Sequence, residues 1–381
     1  MVESANLSIA INATVLTSPM TGVGRYVSEL TRELCQLGVD FQYFDGMRWR
    51  DSLPLPPPES GLSIHRSLAD VPGIRILSRC LRQVIFSRGV RVSAPVLYHE
   101  PAYVPYRFDG PVVITAHDAS WVRFPETHPV GRVRYLNRFF PKALERAERI
   151  IVDSEFVGEE MNNIFGISRA RMKVIPLGVS PQFRPVPPSE SSAVCHRYGL
   201  HPGRYVLTVG TLEPRKNLSA VVQAMSLLPE SIAASCPLVI VGMQGWRHGE
   251  ESRQLSRLER AGRLRLLGHL PESELACLYS AARLFVYVSL YEGFGLPPLE
   301  AMASGVPVIV SDGSSLPEVV GDVGLQVNPH DVDSLAGHMR RLFEDESLCG
   351  QMIRAGLARA GMFTWKKCAQ QTLSVYREVL A

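Results

Sequence analysis

Two adjacent cations, Arg215 and Lys216, close the run Val209-Gly-Thr-Leu-Glu-Pro-Arg-Lys-Asn217, which follows a buried apolar strand and leads into a helical pattern beginning near Leu218. A cation at a helix N-terminus opposes the macrodipole by about 0.3–1 kcal/mol. Free backbone N–H groups point outward at the same place. Two cations there suit an anion of more than one charge, such as a diphosphate, with Gly210 and Glu213 in the same loop. Read alone, the pair is equally a solvated surface loop.

A second run, Glu292-Gly-Phe-Gly-Leu-Pro-Pro-Leu-Glu300, again separates a strand from a helix. Pro297 fits the first helical turn, and Gly305 terminates the helix before the strand Val306–Val310. The amides of Gly293, Phe294, Gly295 and Leu296 are then unpaired donors. Glu292, on the strand-end loop, and Glu300, inside the helix, are carboxylates able to accept hydrogen bonds from sugar or ribose hydroxyls. A purely structural use, as a turn cap and a dipole partner, is open for both.

Thr21-Gly-Val-Gly-Arg-Tyr26 follows the first strand, and Gly22 and Gly24 there let a ligand approach the backbone closely. It is not a dinucleotide fingerprint, because Val27 occupies the third glycine position of G-x-G-x-x-G. A plain tight turn serves as well. His117, in Thr115-Ala-His-Asp118 at the end of a central strand, could donate to a sugar hydroxyl or a leaving oxygen, or be structural. Asp331-Val-Asp333 mimics a D-x-D metal site, but it opens a helical pattern, so one aspartate is expected as an N-cap and no metal site is assigned.

These residues need a frame to hold them. Short β-rich runs alternate with amphipathic helical stretches along the whole chain, the pattern of parallel sheets with crossover helices. Strands are expected near Leu7–Ala13, Val39–Phe44, Val96–Tyr98, Val112–Thr115, Ile150–Val152 and Val174–Ile175. In the second half they fall near Tyr205–Val209, Leu238–Val241, Leu264–Leu267, Leu284–Val288 and Val306–Val310. Helices are expected near Gly24–Leu37, Val133–Ala147, Phe156–Phe165, Leu218–Leu228, Glu272–Ala282, Pro297–Ser304 and Val332–Phe343. The aperiodic, proline-rich Pro181–Pro188 reads as a linker, and Leu53–Pro58 as a surface loop. Doubly wound sheets bind ligands at the carboxyl ends of their strands. The expectation is an α/β chain of two doubly wound, Rossmann-like domains, 1–180 and 181–364, facing a central cleft.

At 381 residues the chain is too long for one core, and its 46% hydrophobic and 20% charged content is that of a soluble globular protein. No N-terminal stretch reads as a signal peptide, and no apolar run approaches the about 20 residues that span a bilayer. Seven dispersed cysteines without a C-x-x-C pair suit a reducing cytosol rather than disulfides or zinc. A net charge of +3 gives no ground for a nucleic-acid partner. The segment Gly73–Arg91 holds five arginines and no acid, with Ile74, Leu77, Leu81, Val84 and Ile85 at helical spacing. Such a helix suits either an anionic membrane surface or ordinary packing with a solvated basic face.

Together these motifs resemble family 4 of the retaining glycosyltransferases, of the GT-B fold, over nearly the whole chain. The resemblance is carried by Tyr279–Val310, with Glu292 and Glu300 in E-x7-E spacing and Ser315-Leu-Pro-Glu-Val319 beyond, and by Val209–Asn217, Val152–Phe156 and Ile175–Gly178. It implies that Glu292 and the amides of Gly293–Leu296 hold the donor sugar, and that Glu300 holds the ribose. It implies that Arg215 and Lys216 neutralise the departing diphosphate while the Gly22–Gly24 loop closes over it. His117 matches the family's first-domain histidine, Gly268-His269-Leu270 the region meeting the base, and helix 365–381 is expected to cross back to the first domain. No cofactor is implied; the nucleotide sugar is a substrate. Met20–Tyr26 and Tyr98-His-Glu-Pro101 are most similar to bacterial enzymes that move mannose or D-rhamnose from a GDP-sugar. Those enzymes build lipid-linked O-polysaccharide on the cytoplasmic face, with peripheral membrane contact and neighbouring polysaccharide-assembly enzymes as further partners. Rivals are a UDP- or other nucleotide-sugar donor, a GT-B-fold sugar-nucleotide epimerase, and a non-catalytic nucleotide-sugar-binding partner.

Overall fold

A computed structural model describes residues 7–18, 20–54, 72–243 and 249–381. The chain divides into two compact units, one drawn from residues up to Gly178 together with Trp365–Ala381, the other from Val179–Thr364. Of the proline-rich stretch 53–58, residues 55–58 lie outside the described ones, as do the side chains of Ile74, Arg75 and Leu77.

The first unit carries β1 (Leu7–Asn12), β2 (Val39–Phe44), β3 (Trp49–Arg50), β4 (Leu97–Glu100), β5 (Val112–Ala116), β6 (Arg149–Val152) and β7 (Met172–Val174). They form one sheet in the order β3-β2-β1-β4-β5-β6-β7, parallel except for β3, which pairs antiparallel with β2. Its longer helices are α1 (Gly22–Gln36), α2 (Pro72–Ser93), α3 (Val130–Arg146) and α4 (Glu155–Phe165). Right-handed crossovers running both ways from β1 put helices on both faces of the sheet, and ligands in such sheets sit where the order reverses.

The second unit repeats the plan. It has α5 (Pro188–Arg197), β8 (Val206–Val209), α6 (Leu218–Leu227), β9 (Leu238–Val241), α7 (Gly249–Arg260), β10 (Leu264–Gly268) and α8 (Glu272–Ser280). β11 (Leu284–Tyr287), α9 (Leu296–Ala303), β12 (Val308–Ser311), β13 (Leu325–Val327), α10 (Val332–Glu344) and α11 (Glu346–Ala360) complete it. The sheet order is β10-β9-β8-β11-β12-β13, with every pairing parallel among the described residues. Strands of four residues such as Leu238–Val241 are buried throughout, as covering by helices on both faces requires. Each fully buried aliphatic side chain stabilises the unit by about 1.5–3 kcal/mol.

The last helix, α12 (Trp365–Leu380), belongs to the first unit and packs against α1. Tyr376 Oη lies 2.7 Å from His99 Nδ1, and the His99 Nε2 is 2.8 Å from Thr115 Oγ1. Where an element was expected, the observed one differs mainly at its ends, whereas β3, β13, α5, α7 and α11 were not expected. The strand expected at Val96–Tyr98 runs on to Glu100, because the polar His99 and Glu100 find buried partners. The strand expected at Val306–Val310 begins only at Val308, since Pro307 has no N–H for a ladder. Asp331 is the N-cap of α10, its Oδ1 accepting from Ser334 N at 2.9 Å.

Candidate functional site

In the second unit the carboxyl ends of three neighbouring strands finish in glycine. Gly210 (φ 156°), Gly242 (φ 157°) and Gly268 (φ 70°) all lie where side chains are strained. Gly210 N donates to Val241 O at 2.9 Å and Gly242 N to Gly268 O at 2.8 Å. A Cβ on Gly242 would stand 1.9 Å from the Gly210 oxygen, so these strand ends close onto bare backbone. Sequence reasoning passed over Gly242; the available signal was a glycine directly after a buried strand, in the same place as Gly210.

The Lys216 stem passes over Gly210, its Cε 3.5 Å from where a Cβ would be. Pro214–Lys216 form one 3-10 turn, and Asn217 (φ 54°, ψ 39°) turns the chain into α6. Asn tolerates that left-handed conformation, and here its Nδ2 is fixed by Val288 O (3.1 Å) and Pro329 O (2.7 Å). The turn lies against the segment after β11: Leu290 N donates to the Arg215 carbonyl at 2.8 Å, and Ser289 Oγ lies 3.0 Å from the same oxygen.

The same contact gathers the charges. Lys216 Nζ is 2.6 Å from Glu292 Oε1 and 2.7 Å from Tyr287 Oη. Arg215 Nη1 is 3.3 Å from Glu292 Oε2, and Arg215 also pairs with Glu213 and with the Tyr291 carbonyl. Tyr287 (2.9 Å) and Ser289 (2.6 Å) add hydroxyl contacts to Glu292 Oε1. The sequence suggested two cations awaiting an anion. In the structure Glu213 and Glu292 already balance them in a nearly buried cluster.

Burial would raise the Glu292 carboxyl, but the charges of Lys216 and Arg215 and the hydrogen bonds from Lys216 and Ser289 outweigh it and hold the group at about 2. Burial lowers Lys216, and Glu292 only partly restores it. A carboxyl held below its ordinary 4.5 contributes stability above that pH and loses it as pH falls toward about 2. The contribution is about 3 kcal/mol. We therefore expect the stability gap between the native protein and Glu292→Gln in chemical denaturation to be full at neutral pH and to shrink below pH 4.5. A gap unchanged down to the acid limit of folding would contradict the ion pairing.

The turn carrying Glu292 is clamped. Glu292 N donates to Ser314 Oγ at 3.1 Å, and Ser315 Oγ reaches the carbonyls of Glu292 (2.9 Å) and Phe294 (2.6 Å). Gly295 (φ 121°) is pressed on Leu316, whose Cδ2 would be 2.7 Å from a Cβ there. α9 then opens at Leu296 with prolines in its first turn. Pro297 and Pro298 have no N–H, which leaves Phe294, Gly295 and Leu296 as the donors at this helix start. Glu300 is buried in α9, where Tyr279 Oη donates to its Oε2 at 3.1 Å. His269 is exposed just past β10. The structure thus brings Gly210, Glu213, Arg215, Lys216 and Glu292 together, next to Gly293–Leu296, at the carboxyl ends of the second sheet.

His117 belongs to the first unit, directly after β5. Its Nδ1 is 2.6 Å from Asp153 Oδ2 and its Nε2 is 3.0 Å from the Pro101 carbonyl. Burial lowers its pKa, but the Asp153 charge and hydrogen bond outweigh this and raise it. Both nitrogens facing acceptors favours an imidazolium, and the tautomer freedom expected of a donor histidine is already committed. Tyr26 meets this ring edge-on at 4.8 Å. Beside it Glu100, fully buried, accepts from Asn12 Nδ2 (2.9 and 3.1 Å), Tyr98 Oη (2.6 Å) and Ala102 N (2.8 Å). Burial pushes this carboxyl up to about 7. Sequence reasoning gave no role to Asp153 or Glu100, although each lies at a strand's carboxyl end. Gly22 and Gly24, expected as a loop ahead of the helix, are instead the first turn of α1, with Thr21 as N-cap accepting from Gly24 N at 3.3 Å.

Comparison with known proteins agrees with this architecture. The family "Glycosyl transferases group 1" matches residues 200–359, and "Glycosyltransferase Family 4" matches residues 20–183. The chain is 37% identical to O-antigen chain mannosyltransferase B of Escherichia coli over 374 residues, covering 94% of this chain and 96% of that protein. It is 31% identical over 256 residues to the serotype-specific mannosyltransferase WbdA of Escherichia coli, covering 66% of this chain and 31% of that longer protein. Sucrose-phosphate synthase from Thermosynechococcus elongatus superposes with a TM-score of 0.78 at 24% identity, covering 98% of this chain and 99% of that one, a likeness of fold.

Proposed function

This chain belongs to the family 4, group 1 glycosyltransferases, with the two doubly wound domains of the GT-B fold, and from that membership we propose that it moves mannose from GDP-mannose to a lipid-linked saccharide during O-antigen synthesis. The mannosyl reading is supported by the full-length likeness to an O-antigen chain mannosyltransferase. D-rhamnose is the closest alternative sugar. The observation that carries the reading is the Lys216–Glu292–Arg215 cluster, gathered at the carboxyl ends of the central strands β8 and β11 next to the Phe294–Leu296 amides.

In this reading the diphosphate lies on the Phe294–Leu296 amides and draws Lys216 and Arg215 from Glu292. Glu292, released, accepts from donor-sugar hydroxyls, and Glu300 faces the ribose, with His269 near the base. The bond from the anomeric carbon to the β-phosphate oxygen breaks, the acceptor oxygen bonds to that carbon, and its proton passes to the departing phosphate. Attack on the face the diphosphate leaves gives retention. The growing negative charge is met by fixed amides and cations, so no metal is required. His117 would stand near the donor sugar, and the α1 start at Gly22–Gly24 would accept the phosphates. We place the enzyme in the cytoplasm, in peripheral contact with the inner membrane and beside other polysaccharide-assembly enzymes.

A thermal-shift series across GDP-, UDP-, ADP- and dTDP-sugars tests the donor. A ligand at 100 times its Kd stabilises by about 2.7 kcal/mol. The largest rise is expected with GDP-mannose; a largest rise with a UDP-sugar would replace the GDP assignment. An epimerase would convert the donor sugar with no acceptor present.

A further inference from the structure

α2 and α3 of the first unit together hold ten arginines and lysines and one acid, Glu145, within a chain whose net charge is +3, so the rest of the protein is net acidic. Between these helices and residues 104–112 lies a cavity of about 870 Å³. Among the described residues four cations line it (Arg79, Arg107, Lys142 and Arg146), with Tyr106, Phe108, Tyr135 and Phe139 between them and Asp109 as the sole acid. Tyr135, Phe139, Lys142, Ala143 and Arg146 make one stripe at helical spacing along α3. Val112 opens β5 and Ala147 just precedes β6, so the cavity includes the amino-terminal ends of those strands, while Glu100, His117 and Asp153 follow carboxyl ends. It is a different place from the chemistry described above.

Its cations are of two kinds. Arg79 is preset: its Nη2 donates to the carbonyls of Val104 (3.2 Å) and Pro105 (2.7 Å), and its Cζ lies 4.9 Å from the Tyr106 ring centre and 5.6 Å from that of Tyr135. Lys142 and Arg146 are exposed, and neither side chain has a hydrogen bond or ion pair among the described residues. The same two helices also expose apolar side chains, Phe139 at the cavity itself. Of the nine large exposed hydrophobics among the described residues, five are on them: Leu81, Val84, Val92, Val130 and Phe139. Water solvates the exposed cations but leaves the exposed aliphatics of the same helices uncovered, and so would a nucleic acid. No described helix is long and apolar enough to cross a membrane. An anionic bilayer surface satisfies both groups, phosphates on the cations and acyl chains on the apolar side chains.

We propose that this cavity seats the phosphate headgroup of an anionic membrane lipid, with Lys142 and Arg146 as its grips and Arg79 as its floor, and so fixes the first unit on the membrane. It deepens the peripheral contact proposed above and is independent of donor and sugar. The test is co-sedimentation of the full chain with phosphatidylcholine vesicles, plain or containing about a third phosphatidylglycerol. Binding is expected only to the anionic vesicles. Lys142→Gln with Arg146→Gln should weaken it about 30-fold, at about fivefold per cation removed. Arg132→Gln with Arg134→Gln, exposed on the same helix outside the cavity, should weaken it several-fold less. Transfer to a soluble saccharide acceptor should be unchanged in the cavity variant, which separates this proposal from the catalytic one. Equal losses from the two pairs would overturn the headgroup seat, as would equal binding to neutral vesicles. So would full displacement by soluble glycerol phosphate at the same phosphate concentration, since a free phosphate would then be the ligand.

Discussion

Lys216→Ala is expected to lower the turnover of mannosyl transfer by about 10²–10³-fold, the loss typical of removing one fixed partner of a developing negative charge. Lys216 Nζ sits 2.6 Å from Glu292 and 2.7 Å from Tyr287, a position set by the Asn217 turn and the stem crossing Gly210. In the proposed reading this cation turns from Glu292 to the diphosphate on donor binding and so stands beside the charge that builds there during transfer. Because that charge is greater in the transition state than in the bound donor, kcat should fall far more than KM rises. Steady-state kinetics with GDP-mannose read the split. A variant that raises KM at native kcat would make Lys216 a ground-state anchor only.

Glu292→Ala should be the most damaging substitution to the fold of the second unit as well as to activity. It leaves Arg215 and Lys216 buried with one carboxylate, Glu213, between them. Removing one member of a buried ion pair costs about 3–5 kcal/mol. In a unit of this size that is a melting temperature lower by on the order of 10 °C. Added pyrophosphate should restore much of the loss by replacing the missing anion. The two roles of Glu292 then separate. In the transfer assay, run without pyrophosphate, saturating GDP-mannose supplies the same anion: if Glu292 is a counter-ion alone, the donor-stabilised variant transfers sugar; if it also holds donor hydroxyls, the variant folds and stays inactive, which is the outcome expected here.

The frame of the molecule was readable because parallel strands between helices are continuous apolar runs. Leu238–Val241 and Val39–Phe44 were placed to the residue. β3, with only Trp49 and Arg50, has no length in which a period can show. β4 was cut short because His99 and Glu100 break the apolar run, and what makes them strand residues is remote: Tyr376 is 277 positions from His99, and Asn12 is 88 from Glu100. The same distance in sequence hid the electrostatics of the site. Which loops carry Arg215, Lys216 and Glu292 could be read from glycines, prolines and strand ends. That Lys216 and Glu292, 76 positions apart, neutralise each other could not, since charge balance depends on contacts the chain makes only when folded.

The claim on which the rest depends is that Arg215, Lys216 and the Phe294–Leu296 amides hold a diphosphate. Calorimetric titration with GDP and with GMP measures it directly in the native protein and in Lys216→Ala. The second phosphate should tighten native binding by at least about tenfold, the worth of one charge-assisted hydrogen bond, and the variant should lose most of that advantage while keeping its affinity for GMP. Equal affinities for GDP and GMP in the native protein, or a variant that weakens both alike, would contradict the account.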